Sequence, residues 1–301
     1  MHALLTPGTH LLRRSRDQLQ AGLAPERSVR LTGPDAADAI DAAEDRALLD
    51  PAGGAFARLA RAGLAAVDDR SLREARPHAA EHPWRRHTLA ALFRTDPTAM
   101  AAAVTARRGH EVVVEPFGHP LGRSLAADLE TLFRRTDLPL LADRAPGPPR
   151  KDAPVRDPLH VLVGVGEPRR DLLDPLVRDG VPHLLVRMVE GDAVVGPFVV
   201  PGATPCLRCL DAHRTAVDPV WPLLVEQYAR AAGRDRSDGV PEPVDAALAA
   251  LAVAWAARDV ATYAGGGHPS TLGTTVRISP ALETLETQPW TAHPACGCAW
   301  T

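Results

Sequence analysis

The chain contains a single lysine, Lys151, and no asparagine, and isoleucine occurs only at Ile40 and Ile278. Alanine, arginine, proline and glycine are abundant instead, the mark of GC-rich coding, so arginine by itself carries little functional weight. An excess of either charge is also missing. A net charge of -3 over 301 residues argues against a nucleic-acid partner. Long hydrophobic runs are absent too. The most apolar stretch, Val244 to Tyr263, is mostly alanine and carries Asp245, Arg258 and Asp259, which reads as a buried core helix and argues against a membrane span. The opening Met1-His2-Ala3-Leu4-Leu5 meets Pro7 too soon to form a secretory core, so a cytoplasmic location with no membrane partner is expected.

What remains is the composition of a folded protein, 45% hydrophobic and 24% charged, with length enough for two domains. Three strand-like runs come first: THLLRRS from Thr9, QLQAGL from Gln18 and SVRLTG from Ser28. Two helices follow. Pro34-Asp35 opens the first, with proline in the first turn and acids near the positive end of the dipole. The second runs from about Ala55 to Ala62 and stops at Gly63. Three strands and two small helices are the content of a winged-helix-like α+β module over residues 1–70, or of a plain N-terminal α+β lobe with no binding role. Residues 71–88, rich in Arg, His and Pro, read as a linker. His78, His82 and His87 lie there at spacings that fit no helical metal face.

Residues 89–301 read as one α/β domain. HEVVVEPFG is a strand leading into a Gly/Pro turn, and RSLAADLETLFRRT is a helix with Leu125, Leu129, Leu132 and Phe133 on one side. LPLLAD is a candidate short strand. HVLVGVG is an unbroken apolar run, as expected for a strand buried on both faces. RRDLLDPLVRDG reads as a helix ending at Gly180, kinked or started late by Pro175. HLLVRMVEG and AVVGPFVVPG form a hairpin about Glu190-Gly191-Asp192, and STLGTTVRIS and ETLETQPW add an antiparallel edge. The order of elements predicts a mainly parallel sheet wrapped by helices. Ser124 and Ser279 lack a nucleophile-elbow setting. The five tryptophans, Trp84, Trp221, Trp255, Trp290 and Trp300, read as core or interface anchors rather than as a stacking platform.

All four cysteines fall in two close pairs, Cys206 and Cys209 in PCLRC, and Cys296 and Cys298 in HPACGC. A CxxC turn can aim two thiolates at one metal, and a second pair completes a tetrahedral shell, with Gly297 easing the tight second turn. Two disulfides would suit a secreted chain. A redox CxxC leaves the second pair unexplained. Structural zinc held by four cysteines is therefore the expectation, with His293 replacing one of them as the alternative ligand set.

The run VGPFVVPGATPCLRCLDAHR, together with HPACGC near the end, resembles the ThiF-type superfamily of ubiquitin-activating-enzyme-like proteins. More closely, it resembles the leader-peptide-binding, cyclodehydratase-associated proteins of azole- and thiopeptide-type ribosomal peptide clusters. The resemblance implies an N-terminal winged-helix module that recognises a leader peptide, followed by a degenerate doubly wound, Rossmann-like domain with a zinc staple. It implies a precursor peptide and a YcaO-type cyclodehydratase as partners, and by analogy a homodimer. In this reading the peptide adds a strand to Ser28, Val29, Arg30, Leu31 and Thr32, and Phe56, Arg58, Leu59 and Arg61 supply pockets and charge.

Adenylating members of the superfamily cradle ATP in a Gly-rich turn after the first strand of this domain. The matching turn here is Phe117-Gly118-His119-Pro120-Leu121-Gly122, in which Pro120 has no N–H to donate. Asp143 stands where a ribose-binding acid could fall. The acid that holds magnesium falls on Gly166, with Glu167 one step away. Bound ATP and a catalytic role are therefore not expected. The alternative is an ATP-dependent adenylating enzyme that acts on a peptide or protein C-terminus.

Overall fold

The computed structural model describes residues 2–44, 49–68, 83–136, 138–143, 157–232, 234, 238–282 and 285–298. The chain divides into two compact units, Met1–Ala102 and Ala103–Thr301.

The first unit is built on two small sheets. Strands β2 (Leu11–Arg13), β3 (Gln18–Ala21) and β4 (Val29–Thr32) form an antiparallel meander, matching the three runs read from sequence. The second sheet was not legible in the sequence: β1 (His2–Leu5) pairs antiparallel with β5 (Ala65–Asp68). Between them lie helices α1 (Pro34–Glu44) and α2 (Gly54–Arg61). Leu19, Leu31, Ala36, Ala39, Leu59 and Leu64 close a core of their own. Helix α3 (Pro83–Thr95) begins inside the stretch read as linker, so residues 83–88 are helical. Residues 71–82, with His78 and His82, lie outside the described residues. Arg94 on α3 donates to the carbonyl of Pro7 at 2.8 Å. Helix α4 (Met100–Arg107) contains the point where the chain divides.

The second unit is a six-stranded sheet in the order β11-β10-β9-β8-β7-β6. Its strands are β6 (His110–Gly118), β7 (Asp157–Val165), β8 (His183–Val189), β9 (Asp192–Val199), β10 (Thr274–Ile278) and β11 (Leu285–Pro289). Only β6, β7 and β8 run parallel; β8 to β11 are antiparallel, so the sheet is mixed rather than mainly parallel. The reason is the two-residue connection from β8 to β9, with Glu190 and Gly191 both at positive φ, which makes a hairpin and leaves no room for a crossover.

Alternation along the strands sends side chains to two layers. Leu159, Val161, Val163 and Val165 of β7 pack with α5 (Leu121–Arg135) and α9 (Ala246–Ala264). Leu162 and Leu185 point the other way, toward α6 (Asp174–Arg178) and α7 (Leu207–Val217). Helix α8 (Trp221–Ala231) follows α7. Pro175 sits in the first turn of α6, so the single helix expected from Arg169 to Gly180 becomes a 3-10 turn and a short late helix. LPLLAD contributes one bridge, Leu140 to Val112, and a 3-10 turn. No helix among the described residues is long and apolar enough to cross a membrane.

Candidate functional site

Four places carry chemistry. The first is the cysteine cluster. Cys206 precedes the first residue of α7 and Cys209 lies in its first turn, where the Cys209 N–H donates to the Cys206 carbonyl at 3.0 Å. The second pair reaches them through a turn at Gly297, whose φ of 78° suits glycine. The four sulfurs lie within 4.8 Å of one another, with Sγ–Sγ distances of 3.5 Å from Cys206 to Cys296 and 3.3 Å from Cys209 to Cys298. Such a set can hold one metal ion. His293 is not in it: its Nδ1 accepts from the Ala295 N–H at 3.2 Å and its ring lies edge-on to His213. Burial and the neighbouring thiols push the Cys206 thiol up, and burial takes Cys298 to about 11. Burial also opposes ionisation of Cys209, but hydrogen bonds from the His293 backbone and the Cys298 thiol leave it below its ordinary value.

The second place is the turn after β6. Gly118 lies so close to β7 that a Cβ would come within 2.0 Å of the Val165 carbonyl, and a Cβ on Gly164 would come within 2.2 Å of the Phe117 carbonyl. The turn's N–H groups point inward. His119 donates to the Val165 carbonyl, Leu121 to the His119 ring and Gly122 to the His119 carbonyl at 2.8 Å. Pro120 has none to offer. The Phe117 ring is buried with Leu162, Leu173 and Leu207. Asp143 makes a two-pronged pair with Arg134, at 2.8 and 3.1 Å.

The third place was missed in the sequence. Arg187 of β8, 1% exposed, points to the α6/α7 side of the sheet and donates to Glu167 Oε1 at 2.6 Å. The other Glu167 oxygen accepts from Arg170 at 2.9 Å. Arg170 then makes a bidentate pair with Asp211 on α7, at 2.7 and 2.8 Å, and Trp221 Nε1 donates to the same carboxylate at 2.9 Å. Burial opposes both carboxylates, but the arginines outweigh it and hold Glu167 and Asp211 below their usual range. Burial and Glu167's other cation, Arg170, lower Arg187. Its Nε has no hydrogen-bond partner among the described residues. The signal in the sequence was an arginine in the middle of the apolar run HLLVRMV.

The fourth place is the edge of β4. The Arg14 N–H donates to the Gln18 carbonyl and the Gly22 N–H to the His10 carbonyl, so the even-numbered residues of β3 face β2. Leu19 and Ala21 therefore face β4, and their partners Leu31 and Val29 face back. Arg30 and Thr32 direct their backbone groups outward. Of the residues expected to form a groove, Leu31 and Leu59 are fully buried in the core, and Phe56 packs against it. Arg58 is engaged within the chain, donating to Asp35 at 2.8 Å and to the Arg30 carbonyl at 2.6 Å. Arg61 is exposed and donates to the Ala57 carbonyl. Ser28 donates to the Pro25 carbonyl.

No protein-family profile and no curated protein matches the chain by sequence. Solved structures do match. The heterocyclase TruD aligns over 99% of this chain with a TM-score of 0.63 and 16% identity, and this chain spans 42% of that one. A heterocyclase in complex with substrate and cofactor aligns with a TM-score of 0.62 and 17% identity, 39% of its length being spanned. Escherichia coli MccB, bound to AMPCPP and MccA, aligns over the full length of both chains with a TM-score of 0.60 and 13% identity. These likenesses establish a common fold.

Proposed function

We propose, from the ThiF-type fold this chain shares with a heterocyclase and with MccB, that it is a non-catalytic partner in ribosomal-peptide modification. It binds the leader region of a precursor peptide and presents it to a YcaO-type cyclodehydratase. The support is a contrast within the molecule: β4 is the edge of its sheet, while most donors of the turn after β6 are engaged. Thr32 and the Arg30 N–H face outward toward an extended peptide, and the Arg30 carbonyl is held by Arg58, which such a peptide would have to displace. In the turn after β6 the His119, Leu121 and Gly122 N–H groups are engaged within the chain and Pro120 has none, and both oxygens of Glu167, one step from the position where a relative's acid would hold magnesium, are taken by arginine. The chain spans about two fifths of TruD.

Zinc is the metal this donor set suits. A tetrahedral shell with zinc–sulfur bonds of about 2.3 Å spaces its sulfurs about 3.8 Å apart, and the sulfurs here lie close to that spacing before any adjustment. Bound there, zinc would staple the tail at Cys296 and Cys298 to the start of α7, a structural role with no open ligand position.

The reading is tested by calorimetry of the full chain with a synthetic peptide of the cognate leader. Binding at micromolar affinity or better is expected. Arg30→Pro deletes one outward N–H without touching the β3 ladder, and should weaken binding by about tenfold. Absence of binding to the leader overturns the proposal. Magnesium-dependent pyrophosphate exchange by the chain alone would replace it with the adenylating alternative.

A further inference from the structure

The buried ion network leaves one cation over, and that cation faces a cleft. Glu167 and Asp211 feel three guanidiniums, those of Arg170, Arg187 and Arg214. Among the described residues, Arg170 and Arg187 make the ion pairs to those carboxylates. Arg214 has no hydrogen bond or ion pair among the described residues. It lies one turn along α7 from Asp211, with its guanidinium 4.7 Å from the centroid of the Trp221 ring and 5.6 Å from that of Trp290. Around it is a cleft of about 660 Å3, walled also by His213, Gln288 and Asp218. One oxygen of the Asp218 carboxylate accepts from the Val220 N–H, at 3.0 Å. His213 Nε2 is committed to the Thr291 carbonyl at 2.9 Å. The cleft thus presents a half-buried arginine between two indoles, with exposed Val217 at its rim.

We propose that this cleft is a second peptide site, which takes the carboxylate of an acidic side chain against Arg214 and packs the neighbouring apolar residue on Trp221 and Trp290. The inference rests on the peptide-binding reading above. A guanidinium fork with free edges matches a planar carboxylate. With the Asp218 carboxylate also in the wall, a phosphate dianion is repelled more than a single carboxylate. Indole walls favour a peptide over a free ion because they reward the apolar flank.

The test uses the metal-loaded full chain and the capped tripeptide acetyl-Leu-Glu-Leu-amide, with acetyl-Leu-Gln-Leu-amide as the neutral control. Binding is followed by NMR of the indole N–H signals. Three residues are too few for strand addition at β4, so this outcome is independent of the leader titration. The Glu peptide should bind about tenfold or more tighter than the Gln peptide. It should shift the Trp221 and Trp290 signals, identified by Trp221→Phe and Trp290→Phe. Arg214→Gln should erase the difference, and Arg214→Lys should retain part of it. Failure of the Glu peptide to bind, equal affinity of the two peptides, an unchanged ratio in Arg214→Gln, or displacement by inorganic phosphate at constant ionic strength would each overturn the proposal.

Discussion

The two faces of the six-stranded sheet differ in kind. Against α5 and α9 lies a continuous apolar layer: Leu129, Phe133, Val161, Val163, Val186 and the alanine-rich side of α9. The opposite face has a smaller apolar cluster about Leu162, Leu185 and Leu210, and beside it the ion network, the cysteines and the tryptophan cleft. One face is held by burial of hydrocarbon, which has no preferred direction. The other is held by groups that must meet particular partners, so it tolerates less and specifies more.

That contrast can be broken at its strongest point first. Cys209→Ser should abolish stoichiometric metal binding and lower stability by about 5 kcal/mol, measured by metal analysis and chemical denaturation. Next is Glu167→Gln, which strands Arg187 inside the protein. A loss of about 4 kcal/mol is expected, and a loss under about 1 kcal/mol would show that the network holds nothing together. On the apolar face, Leu129→Ala should cost about 3 kcal/mol through transfer and cavity terms. The smallest effect belongs to the first unit: Arg58→Ala removes an exposed pair with Asp35 and should change stability by less than about 1 kcal/mol.

The faces should also differ in their response to acid. Glu167 and Asp211 are held below their usual range in the folded chain. Their contribution is complete above the unfolded carboxylate range, about pH 4, and is lost as pH falls through the lower folded values. Denaturation midpoints should therefore fall steeply below about pH 4. The fall should be shallower in Glu167→Gln than in the parent, and unaltered in Leu129→Ala.

The sequence disclosed what depends on short range. The β8–β9 hairpin is written in Glu190-Gly191-Asp192, the cysteine cluster in two tight pairs, and the limits of α1 and α2 in Pro34 and Gly63. It hid what depends on distant partners. Strands β1 and β5 are four residues each and sixty residues apart, and only their pairing makes them strands. Arg187 looked like an interruption of an apolar run, because Glu167 lies on another strand's end. Leu31 and Leu59 sit on the elements expected to form the groove, yet both side chains turn to the core, since strand parity was not fixed until β2 had paired with β3. Pro120 showed that one donor is missing from the turn after β6, but the closeness of Gly118 to Val165 needs the register of β6 against β7.

That closeness limits what can be substituted there. Gly118 and Gly164 each touch the neighbouring strand's backbone so closely that neither admits a side chain. A side chain at either position would drive β6 and β7 apart at the end of their shared register, so this joint accepts change only if both backbones move together.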